Sequence, residues 1–161
     1  AGATAPCAYR VAMNDARYDP RYAKCVEVDR PRFVTAGVPG PRVPMADQKV
    51  ELIDEVCWFF PELKFVMRHG AEPWEALAVK LMIKWPNLYY STSAFAPKYY
   101  PQAIIDYANS RGGDKIIYAG YFPAGLTYER IFSELPNVGF NDDVWPRFLR
   151  TNAERILGLN A

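Results

Sequence analysis

Histidine is almost missing from this chain: its 161 residues contain one, His69. A catalytic zinc takes about three protein ligands from His, Cys, Asp or Glu. The chain alone is therefore expected to hold no catalytic transition metal and no other cofactor. Cysteine is scarce as well. Cys7, Cys25 and Cys57 are odd in number and widely spaced. That pattern argues against a disulfide framework or a zinc cluster and suits reduced thiols in a cytoplasmic protein. Excess charge is lacking, since 19 basic and 18 acidic residues leave a net +1. Neither nucleic acid nor an anionic membrane surface is an expected partner. No apolar run approaches the roughly 18 residues that span a bilayer, and no charged start leads into a signal-like apolar stretch. The sequence opens Ala1-Gly2-Ala3 without a methionine, so the genetic start need not be here.

Catalytic signatures are also missing. There is no G-x-G-x-x-G after a strand, no Walker loop and no G-x-S-x-G elbow. Gly112-Gly113 reads as a helix stop rather than a phosphate cradle. The cysteines fall in an arm or on helices with no local histidine, which weakens any cysteine nucleophile.

What is present is apolar and regular. Half of the residues are hydrophobic, with 11 Tyr, 9 Phe and 4 Trp, enough for one domain with a sizeable core. Residues 1–19 have no clear period and read as an N-terminal arm. From Pro20 onward, helices alternate with short apolar strands. Helices are predicted from Pro20 to about Asp29, and over 46–60, 73–85, 99–110, 127–135 and 142–157. Strands begin near 32, 64, 88 and 115. The period-3.6 spacing of Val50, Ile53, Val56, Cys57 and Phe60 marks one of the helices. Phe65-Val66-Met67 and Ile116-Ile117-Tyr118 are the continuous apolar runs of strands covered on both faces. Such alternation implies right-handed crossovers and a parallel sheet. Two α/β architectures fit: an open doubly wound sheet, or half of a closed (β/α)8 barrel.

In either, ligands bind beyond the C-terminal ends of the strands. Those ends carry Thr35-Ala36-Gly37, His69-Gly70-Ala71-Glu72, Ser91-Thr92-Ser93 and Gly120-Tyr121-Phe122. His69 is the one group there able to act as a base near neutral pH. Arg68 is a candidate to hold a carboxylate, or else points outward. Glu72 reads more simply as an acid in a helix first turn. Trp74, Trp85 and Trp145 read as packing residues, and the stiff loop Val38–Pro44 as a rigid connection or a lid.

Four segments carry a family resemblance. Pro61 to Trp74 resembles the "FPxLKxVxxHGGxPW" segment of the amidohydrolase-related family, which includes decarboxylases of the aminocarboxymuconate-semialdehyde and resorcylate types. Trp85 to Ser93, Asp114 to Pro123 and Thr151 to Leu159 are similar to its next strand, its last strand and its closing helix. The likeness covers about residues 20–160 in order. It implies a TIM-like barrel, of which 20–161 would be the C-terminal half with four parallel strands. The family's metal ligands are an H-x-H pair on the first strand, a histidine on the fifth and an aspartate on the eighth. The pair has no counterpart here, and the other two positions are Thr35 and Tyr121. The resemblance thus implies a degenerate metal site.

The expected function is a hydrolase or decarboxylase-like lyase on a small carboxylate, without the usual metal. His69 would be the acid–base group and Tyr121 a donor to a developing oxyanion, with Thr35, Arg68, Glu72, Ser91 and Ser93 contacting substrate. The rival readings are a pseudoenzyme or subunit that completes a partner enzyme, and an open flavodoxin-like binding domain. A four-stranded half-barrel would leave two open edges and a bare apolar face. A homo-oligomer, a complex with a chain supplying the first half-barrel, or a place within a longer protein is therefore expected.

Overall fold

The computed structural model describes residues 2–159. Ala1 of the expected arm, and 160 and 161 at the other end, lie outside the described residues.

Five parallel strands lie in sequence order in one sheet that does not close on itself. They are β1 (Gly2–Thr4), β2 (Arg32–Thr35), β3 (Phe65–Arg68), β4 (Leu88–Ser91) and β5 (Ile116–Ile117). The helices are α1 (Pro6–Tyr9), α2 (Asp19–Glu27), α3 (Ile53–Phe59), α4 (Glu75–Lys84), α5 (Gln102–Tyr107), α6 (Tyr128–Glu134), α7 (Val144–Pro146) and α8 (Asn152–Leu157). Four strands fall where the apolar runs place them. The fifth, β1, corrects the expected count. It lies in the segment read as an arm and pairs Gly2, Ala3 and Thr4 with Arg32, Phe33 and Val34. A Gly-Ala-Thr strand has no apolar period to read, and the neighbouring strand makes it extended.

Register fixes what each face carries. Phe33 pairs with Val66, Val66 with Tyr89, and Thr35 with Arg68. Alternation sends Val34, Phe65, Met67, Leu88, Tyr90 and Ile116 to the other face, where they join the main core with residues of α2, α3, α4 and α5. Val66, Tyr89 and Ile117 form a second, smaller cluster with Ile156 and Ala153 of α8. That helix covers the lower half of the face expected to be bare. Asn152 Nδ2 donates to the carbonyls of Gly113 (2.7 Å) and Ile116 (2.8 Å) and ties α8 to the start of β5. The β5 edge is not open either, because the Tyr118 N–H donates to the Phe148 carbonyl at 2.9 Å. Among the described residues β1 and β5 are the two edge strands of the sheet.

The helix expected over 46–60 is broken. Two short 3₁₀ turns, Ala46–Gln48 and Val50–Leu52, precede α3, with Lys49 extended between them. The cause is competition for the backbone. The Asp47 carbonyl accepts from Met13 N–H and the Gln48 carbonyl from Gly37 N–H, while Gln48 Nε2 donates to the Gly37 carbonyl at 2.8 Å. These bonds anchor the loop after β2 and hold Asp47 and Gln48 to remote partners just before the extended Lys49. No helix among the described residues is long and apolar enough to cross a membrane.

Candidate active site at the C-terminal strand ends

A cavity of about 480 Å³ opens beside β1 and α2, lined by Arg21, Lys24, Cys25 and Arg32 among others. A cavity of about 530 Å³ lies instead where the chemistry is expected, beyond the C-terminal ends of the strands. Its wall includes Ala5, Cys7 and Ala8 after β1, Thr35 at the end of β2, His69 after β3, Ala94 and Phe95 after β4, and Tyr121 after β5. The loop Val38–Pro41, with Val43, forms another side.

His69 reaches this cavity through its backbone. Arg68 ends β3 and shares the inner face with Val66, two residues earlier. An extended His69 would put its ring on the helix side with Met67. Instead His69, Gly70 and Ala71 have φ of 64°, 90° and 59°, and this left-handed run turns the ring back towards the cavity. Two of these are non-glycine residues in a disfavoured region, a kind of strain that concentrates at functional sites. Gly70 itself is required: a Cβ there would lie 2.5 Å from the Phe95 ring.

The ring is held from three sides. An Arg68 guanidinium nitrogen stands 3.0 Å from Nε2. Ser93 Oγ stands 3.1 Å from Nδ1 and also accepts the His69 backbone N–H at 3.4 Å. The Tyr121 ring packs edge-on, with centroids 5.8 Å apart. Burial, and then the nearby Arg68 charge, push the imidazole below its ordinary protonation range. Burial also raises the Cys7 thiol, so Cys7 offers the cavity a neutral S–H rather than a thiolate.

Thr35, His69 and Tyr121 thus share one wall, and Arg68 and Ser93 join them through the imidazole. Ser91 lies almost sealed at the end of β4 (1% exposed) and is not on the wall. Glu72 stands off the cavity. Its carbonyl accepts from Val38 N–H at 2.7 Å, burial raises its carboxyl, and its charge acts on Tyr90 on the helix side. Cys7 and Phe95 were not legible as site residues. Cys7 follows a strand with no apolar signal, and Phe95 lies two residues past Ser93, where reading two residues further would have found it.

The lowered imidazole has a consequence for stability. Between its folded value and the unfolded value near 6.5, the unfolded chain binds more protons. His69 therefore favours folding above about pH 6.5, and this contribution is lost as pH falls through the folded value. Urea midpoints at about pH 7.5 and about pH 5 should differ more in the wild type than in His69→Gln. Equal drops in both proteins would show that His69 is not held neutral by the fold.

An open parallel β/α sheet with its cavity at the C-terminal strand ends defines a partial TIM-barrel-like domain. The chain belongs to the amidohydrolase family, whose model matches residues 11–159. Among curated proteins, none matches it. An uncharacterised TIM-barrel protein from Bordetella bronchiseptica is similar at 26% identity and TM-score 0.83, over 97% of this chain and 57% of that one. A dihydroxybenzoic acid decarboxylase from Polaromonas sp. JS666, with bound manganese and the inhibitor 2-nitroresorcinol, is 16% identical (TM-score 0.68; 93% and 56% covered). A 4-oxalomesaconate hydratase from Rhodopseudomonas palustris is 17% identical (TM-score 0.67; 97% and 54% covered). The chain spans little more than half the length of these structures.

A divalent metal, which the resemblance implies, finds few donors within this chain. Thr35 and Tyr121 line the cavity at the strand ends, and neither supplies the imidazole or carboxylate such an ion prefers. No three His, Cys, Asp or Glu side chains converge among the described residues. The donors within 2–159 do not fit a catalytic ion.

Proposed function

We propose that this chain carries the acid–base side of a hydrolase or decarboxylase-like lyase acting on a small carboxylate, without a metal held by its own residues. One observation carries the reading: His69, Tyr121 and Thr35 wall a single cavity at the strand ends, with the Arg68 guanidinium against His69. Among the described residues Arg68 is in no ion pair with a carboxylate. A substrate carboxylate would take that place, since the planar fork of arginine suits it. His69 then transfers the proton, and the Tyr121 hydroxyl donates to the oxygen that gains charge. The family membership and the decarboxylase and hydratase among the similar structures support this class.

The rival reading is a subunit that completes a partner enzyme. It draws on the β1 edge and on the chain's spanning about half of similar structures. A second copy, or a chain supplying the remaining strands, would cover that edge.

Turnover of dihydroxybenzoates and of unsaturated oxo-acids by the natively purified assembly tests the two. Wild type should turn over one of these classes. His69→Gln should lower the rate about 10²–10⁴-fold, and Tyr121→Phe should lower it about 10²-fold or more through loss of one oxyanion donor. An active assembly indifferent to both substitutions would mean that catalysis lies in a partner.

A further inference from the structure

We propose that Arg68 is a gate on His69: it caps the Nε2 lone pair and holds the ring as the Nδ1–H tautomer, and a carboxylate that engages the guanidinium releases Nε2 as a base. The proposal rests on the reading above that the cavity takes a carboxylate.

Arginine can only donate. At 3.0 Å from its guanidinium nitrogen, Nε2 must therefore be the accepting nitrogen. The remaining proton then belongs on Nδ1, which donates to Ser93 Oγ at 3.1 Å. Ser93 Oγ accepts twice from His69, from the ring and from the backbone N–H, and keeps its own O–H to donate. The ring is thus clamped in orientation and tautomer, and its one basic site faces a cation.

In that state His69 is a poor base. Protonating Nε2 would break the bond from Arg68 and set two cations about 3 Å apart, a repulsion strong in a half-buried site. The other titratable groups on the cavity wall are Cys7 on α1 and Tyr121 after β5. Neither is a carboxylate, and Asp47, whose charge acts on Cys7, is ion-paired with Arg10. Nothing on the wall neutralises Arg68. An arriving carboxylate does so. Its two oxygens draw the N–H groups of the fork, the bond to Nε2 is given up, and the imidazole regains a lone pair beside a neutralised pair of charges. The base is then exposed only when a substrate of the right charge is in place.

The test reads the ring directly, because His69 is the only histidine in the 161-residue chain. Nitrogen-15 imidazole spectra of the full chain should show the Nδ1–H tautomer in the wild type. Arg68→Met should shift the population towards Nε2–H and raise the pH midpoint of ring protonation, and Arg68→Lys should restore part of the wild-type behaviour. Ser93→Ala, which leaves Arg68 in place, should also weaken the Nδ1–H preference. Benzoate should raise the wild-type midpoint saturably and leave that of Arg68→Met unmoved. An Nε2–H tautomer in the wild type overturns the proposal, as does a tautomer indifferent to Arg68→Met. Saturable benzoate binding that leaves the ring unchanged overturns the gate and keeps the carboxylate site. A clamped tautomer with no benzoate response overturns the gate through failure of the carboxylate reading.

Discussion

Phe148→Ala should destabilise the fold by about 3–5 kcal/mol, the range for truncating a sealed aromatic side chain. Phe148 is fully buried (0% exposed), in a π-helical turn (Arg147–Thr151) between α7 and α8. Its ring meets Phe140 at 4.9 Å, Tyr118 at 5.7 Å, Trp145 at 6.1 Å and Tyr100 at 6.2 Å between centroids. Its carbonyl takes the Tyr118 N–H just beyond β5. The residue thus fills the aromatic cluster and closes the sheet edge at once. Truncation leaves a cavity lined by rings that cannot all collapse into it, and it loosens the turn that delivers the carbonyl. Phe148→Leu should cost about 1–2 kcal/mol, since most of the volume stays and the edge-on ring contacts are lost. Leu149→Ala, on the exposed side of the same turn, should stay within about 0.5 kcal/mol. Urea midpoints of the three variants check this. Equal effects for Phe148→Ala and Leu149→Ala would show that the edge is held by the backbone bond alone.

The strands near 32, 64, 88 and 115 were legible because each is a short apolar or aromatic run bounded by Pro, Gly or Asn. Burial on both faces leaves that mark whatever the tertiary context. β1 was not legible because its three residues carry no such run, and pairing with Arg32–Val34 makes it a strand. The break at Lys49 was hidden for a similar reason. The apolar spacing there is helical, but backbone groups of Asp47 and Gln48 are committed to Met13 and Gly37, which are distant in sequence. Local periodicity misses elements whose hydrogen bonds go to remote partners.

The site shows the same division. The rule that ligands gather at C-terminal strand ends pointed to Thr35, His69 and Tyr121, and these three share the cavity wall. The rule could not give the left-handed run at 69–71, which determines that His69 faces the cavity and meets Arg68. Nor could it separate Glu72 from His69. They are three residues apart in sequence, but the run of positive φ and the turn that follows send Glu72 towards Tyr90.

Gly37→Ala should cost about 2–5 kcal/mol and should disturb the cavity more than its distance from His69 suggests. Gly37 follows β2 with φ of 101°, where an L side chain adds a left-handed penalty of about 1–2 kcal/mol. Space is lacking as well. A Cβ would lie 2.7 Å from the Glu72 carbonyl oxygen, 2.8 Å from its nitrogen and 2.9 Å from the Ala71 carbonyl carbon. All three are backbone atoms, so no side chain can swing aside, and overpacking of this kind costs about 1–3 kcal/mol. What must move is the segment after His69. The Val38 N–H to Glu72 carbonyl bond crosses the same contact, so the loop along one side of the cavity moves with it. Two readouts separate the effects. The urea midpoint reports the stability loss. The saturable shift of the His69 ring signals with benzoate reports the cavity, and it should weaken in Gly37→Ala under conditions where the variant is still folded. Gly40→Ala, three residues along the same loop with nothing within 4 Å of an added Cβ, should leave the urea midpoint unchanged. A stability loss with an unaltered ring response would mean that β2 and the segment at 71–72 move apart without carrying His69, and that the cavity is set by β3 and β4 alone.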